Sequence, residues 1–133
     1  MTKMDMVWIS LASLLYPRTS RAITCSQQDI ETKVSELFGE KINSTMISSH
    51  LVSTIDRQAD KKQPSRGGSR NRYLFRTTDG GAPDIAGGYR LVKSVDKKFD
   101  AWEKTGKTFP ETNSIDLAYR NLISWYQVEY FPK

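Results

Sequence analysis

A mainly helical α+β fold with one small β-hairpin is what this sequence predicts, and three observations carry that reading. Apolar residues recur at helical spacing through the first forty positions and again after Ser114. Between these regions, two short alternating stretches flank a glycine-rich tip. The chain has 133 residues, 38% of them hydrophobic and 26% charged. That is enough for one buried core and too little for two independent ones. Residues 1–133 therefore read as a single domain, with a core over 5–93 and a C-terminal extension over 94–133.

The first helix is expected from Asp5 to Tyr16. Met4, Val7, Trp8, Leu11, Ala12 and Leu15 share one side, Asp5 serves as the cap and Pro17 as the stop. Lys3 followed by Val7–Tyr16 has the outline of a short signal peptide. Asp5, Ser10 and Ser13 interrupt that outline and no small-residue cleavage site follows, so the expected location is cytoplasmic. No apolar run approaches the roughly 20 residues needed to span a bilayer, so no membrane partner is expected. A second helix opens at Ser26, with Asp29 three positions on as its reciprocal cap. Ile30, Val34, Leu37 and Phe38 form its buried face, and Gly39 supplies a left-handed end. A third helix is expected from Ser44 to Arg57. Ile47, Leu51 and Ile55 would face inward, and Ser48, Ser49, His50, Ser53, Thr54 and Arg57 outward.

Asp60–Asn71 is basic, polar and glycine-containing, and can bury nothing. Arg72–Thr77 and Tyr89–Lys93 then read as two strands joined through the tip Asp79–Gly88. Tyr73 and Phe75 are expected on the side packed against the helices, as are Tyr89 and Leu91. Stacking of these aromatics on exposed bases is the less favoured alternative. Val95–Thr112 has no clean period and reads as an ordered loop. Ser114 caps a final helix whose stripe is Ile115, Ala118, Tyr119, Leu122, Ile123, Tyr126 and Tyr130. This helix carries more apolar surface than a three-helix core needs, so it either covers the open side of the first helix or forms a dimer surface; Trp125 and Val128, outside the stripe, favour a homodimer through this helix.

Charge is the most informative functional feature. Leu51–Arg76 holds seven bases (Arg57, Lys61, Lys62, Arg66, Arg70, Arg72, Arg76) against two acids (Asp56, Asp60). That balance of +5 equals the formal charge of the whole chain, so the other residues carry thirteen bases and thirteen acids. A neutral body with one cationic strip is the footprint of a protein that meets a polyanion on one surface. Three helices followed by a two-stranded hairpin is, moreover, the layout of a winged helix-turn-helix. In such a frame the third helix enters the major groove and the basic wing grips the backbone of double-stranded DNA. The expected DNA-binding residues are Ser49, His50, Ser53 and Arg57 near the bases. Lys61, Lys62, Arg66, Arg70, Arg72 and Arg76 would lie on phosphates, with Asn71 at either.

Arg70-Asn71-Arg72-Tyr73-Leu74-Phe75-Arg76, the preceding Ile55-Asp56-Arg57-Gln58-Ala59-Asp60, and Trp102-Glu103-Lys104-Thr105-Gly106 resemble a group of small prokaryotic winged-helix domains of undefined function. Related domains occur alone and beside restriction endonucleases. The resemblance covers Val7 to Tyr130 and implies the fold. It brings no catalytic residues, and leaves open a transcription regulator or a restriction or repair accessory.

Catalytic and metal chemistry find little footing. The single Cys25 rules out an internal disulfide, and no zinc-ligand spacing exists. Asp29-x-Glu31-x-Lys33 echoes the acidic core of metal-dependent nucleases, but lies in a helix and is better explained by capping and an i,i+4 pair. His50 has no nucleophile or carboxylate partner implied by the sequence. Trp102–Lys107 lacks the glycines of a phosphate loop. The expectation is a protein with no catalytic residues, cofactor or metal. The main alternative is a protein-interaction module for an acidic partner, with a nuclease less favoured.

Overall fold

A computed structural model of the protein describes residues 1–20, 23–42, 52–55, 73–77, 88–94 and 108–132. It is mainly helical with a small sheet. The elements are helices α1 (Lys3–Leu15) and α2 (Gln27–Phe38), strands β1 (Val52–Ile55), β2 (Leu74–Thr77) and β3 (Gly88–Leu91), and a C-terminal helix α3 (Arg120–Trp125). Two 3-10 turns, Thr112–Ser114 and Leu117–Tyr119, lead into α3, and a π-helical turn, Tyr126–Tyr130, continues it.

Helix α1 is the centre of the core. Val7, Trp8, Ile9, Leu11 and Ala12 are fully buried, so more than one side of the helix is covered. Its cap is Thr2, whose hydroxyl accepts from the Asp5 amide at 3.1 Å. The expected cap, Asp5, lies instead in the first turn, where its carboxyl group is drawn inward by partners from distant segments. Tyr16 and Pro17 end the helix where expected. Helix α2 follows its sequence signals closely. Ser26 and Asp29 form the capping box, and Gly39 ends the helix in the left-handed region at φ 68°. Ile30 and Val34 are buried, with Leu37 and Phe38 packed against the same core.

The third helix is corrected. Residues 43–51 lie outside the described residues, and Val52–Ile55, expected to be its second half, form β1. The sequence places Val52, Thr54 and Ile55 within four positions, and β-branched side chains are restricted against a preceding helical turn but suit a pleated sheet. Apolar residues at 47, 51 and 55 also fit a helix, and the local β-branched density prevails over that spacing.

The sheet has the order β1-β2-β3. Strands β2 and β3 form the expected antiparallel hairpin, with Leu74 opposite Leu91 and Phe75 opposite Arg90. Cys25, between α1 and α2, bridges Tyr89 antiparallel through a reciprocal pair of backbone hydrogen bonds at 2.8 and 2.9 Å. Strand β1 pairs with β2 in parallel. One detail of the hairpin differs from expectation. Leu74 and Leu91 join the core against the helices, whereas Phe75 pairs with Arg90 on the other face. Phe75 and Arg90 are buried too, so both faces of the hairpin are covered and the alternation no longer marks which side is inside.

The final helix begins at Arg120, five residues later than a cap at Ser114 implies, because the backbone is extended at Ile115 and Asp116. The π-helical turn then adds a residue to the repeat, marked by the bond from the Phe131 amide to the Tyr126 carbonyl. Trp125, Tyr126 and Tyr130 all come to face the core as a result. Trp125, expected off the buried stripe, is 5% exposed and packs edge-on to Tyr16 at 5.3 Å. Val128 alone of the pair stays exposed. Half of the sequence argument for a homodimer therefore disappears. Among the described residues, no helix is long and apolar enough to cross a membrane.

Candidate nucleic-acid interface

Strands β1 and β2 frame the cationic segment. Because they run parallel, the end of β1 at Ile55 and the start of β2 at Leu74 lie at opposite ends of the pair. The chain over 56–73 connects these two points and carries most of the strip. Ser53 stands in β1 and Arg76 in β2, where Arg76 is in register with Ile55 on one side and Tyr89 on the other. Ser49, His50, Arg57, Lys61, Lys62, Arg66, Arg70, Asn71 and Arg72 lie outside the described residues. Ser53 on a strand cannot belong to a groove-reading helix, which removes it from the base-contacting set as that set was framed.

The aromatics of the hairpin belong to the interior. Tyr73 is 2%, Phe75 1% and Tyr89 3% exposed. They offer no platform for an unstacked base, so the packed alternative holds. Arg90 and Lys93, the two cations of the second strand region, are buried as well. The Arg90 guanidinium lies 4.2 Å from the Phe75 ring centre and donates to the Leu91 carbonyl at 3.0 Å. Lys93 Nζ donates to the carbonyls of Thr19 at 2.6 Å and Tyr130 at 3.0 Å, over the Tyr130 ring. These charges hold the fold together and are not presented to a ligand.

Tyr73, at the entry to β2, is tied to the core by Asp5, the residue whose sequence position suggests a helix cap. The Tyr73 hydroxyl donates to Asp5 Oδ1 at 2.9 Å. The Ser114 hydroxyl lies 3.2 Å from Asp5 Oδ2 and 2.9 Å from the Glu111 carbonyl, and its single proton is shared between them. Burial, then the hydrogen bond to Asp5 and the charges of Asp5 and Glu111, raise the Tyr73 hydroxyl well above the usual tyrosine range. It is a donor at every physiological pH. These contacts join residues 68 and 109 positions apart, which no local pattern announces.

Cys25 is half-buried. Burial, reinforced by nearby Asp29 and opposed by Arg18, raises its thiol from 9.0 to about 11, so it is a poor nucleophile. Among the described residues, no three His, Cys, Asp or Glu side chains gather to hold a metal ion. Asp29 serves the capping box, but the expected i,i+4 pair with Lys33 is not formed: the Asp29 carboxylate turns back to the Ser26 amide, and Lys33 pairs with Glu36 three positions on at 3.2 Å. The acidic-plus-lysine string is thus accounted for by helix chemistry. No family model matches the chain, and comparison with curated proteins and with solved structures gives no match.

Proposed function

We propose that this protein binds double-stranded DNA without chemistry of its own, through the basic segment Arg57–Arg76. One observation carries the reading: Leu51–Arg76 holds a balance of +5, equal to the formal charge of the whole chain, and this stretch contains strands of one sheet at either end. Such a strip neutralises several phosphates at once, and its arginines suit the two-pronged grip a phosphate accepts. A winged-helix frame is the finer reading of the fold. It is supported by the packing of α1 with α2, by the β2–β3 hairpin, and by the bridge from Cys25 to β3. With Val52–Ile55 in a strand, the proposal places the weight on backbone contacts from Lys61, Lys62, Arg66, Arg70, Arg72 and Arg76. Ser49, His50, Arg57 and Asn71 remain proposed contributors at the base edges.

Mobility shift on a random duplex at several salt concentrations tests this. Five to seven phosphate contacts give a log–log salt slope of about −5 to −6. A variant carrying R66A, R70A and R72A is expected to bind less tightly, with a slope shallower by about 2 to 3. Failure of the unaltered chain to shift duplex at low salt ends the reading and favours an acidic protein partner instead. Conversion of supercoiled plasmid in the presence of Mg²⁺ would overturn the non-catalytic part.

A further inference from the structure

We draw no further inference here: the strongest candidate, the exposed apolar surface at Tyr16, which packs on Trp125, and at Val128 on the adjoining π-helical turn, carries nothing because nothing in the structure shows what covers it.

Discussion

Ser10 illustrates how much a single hydroxyl matters inside a packed helix. It is fully buried on α1, and its oxygen has no hydrogen-bond partner among the described residues. A stranded polar atom carries a desolvation cost with nothing to offset it. S10A removes the atom and improves helix propensity, so it should stabilise the protein by about 0.5–1.5 kcal/mol in denaturant unfolding. Tyr73 and Cys25 make a second prediction, on pH. Both groups hold their protons more tightly folded than unfolded, since both are raised from their ordinary values. The stability they contribute is complete below about pH 8 and falls as pH rises through 9 and beyond, where the unfolded chain ionises first. Unfolding monitored from pH 7 to 11 should show that decline. C25S should delay its onset, and Y73F should flatten the part above pH 10.

At the scale of elements, what the sequence disclosed tracks how local the determining forces are. Helix α2 was legible from end to end because Ser26, Asp29 and Gly39 act on their own neighbours. Gly39 is there for its backbone: at φ 68° a side chain is strained even though an added Cβ would meet nothing within 4 Å. G39A should therefore cost about 1 kcal/mol in unfolding free energy with no steric clash to explain it. The hairpin was legible from its alternation and glycine-rich tip, though not which face Phe75 would take, since both faces are buried. Strand β1 was not, because the 47–51–55 spacing and the β-branched run at Val52–Ile55 give opposite instructions and long-range pairing with β2 decides between them. The start of α3 was hidden for the same reason. Ser114 is a good cap by composition, but its hydroxyl donates to Asp5 and Glu111 while Ile115 and Asp116 are extended, and the helix waits until Arg120.

At the scale of the whole molecule, two sets of cations contrast in their duties, one in the interior and one along the basic strip. Arg90 and Lys93 are interior cations facing rings and carbonyls: Arg90 lies against Phe75 within the hairpin, and Lys93 ties the end of the hairpin to Tyr130. The stretch Leu51–Arg76 holds a balance equal to the formal surplus. The steep salt dependence expected of duplex binding follows from that concentration, since every contact releases counterions from the same stretch of backbone. Its location could be read from composition alone, because counting needs no fold. The anchor at Asp5 could not, because it depends on three distant segments meeting.

The parallel pairing of β1 with β2 has one more consequence. Two strands pointing the same way cannot be joined by a tight reversal; the polypeptide must travel back the full length of the ladder, which takes a dozen residues or more. Residues 56–73 exceed that minimum, so a crossover of at least this order is a geometric requirement separate from their electrostatics. Trimming this linker well below a dozen residues would undo the ladder, whereas neutralising the arginines at constant length would spare it.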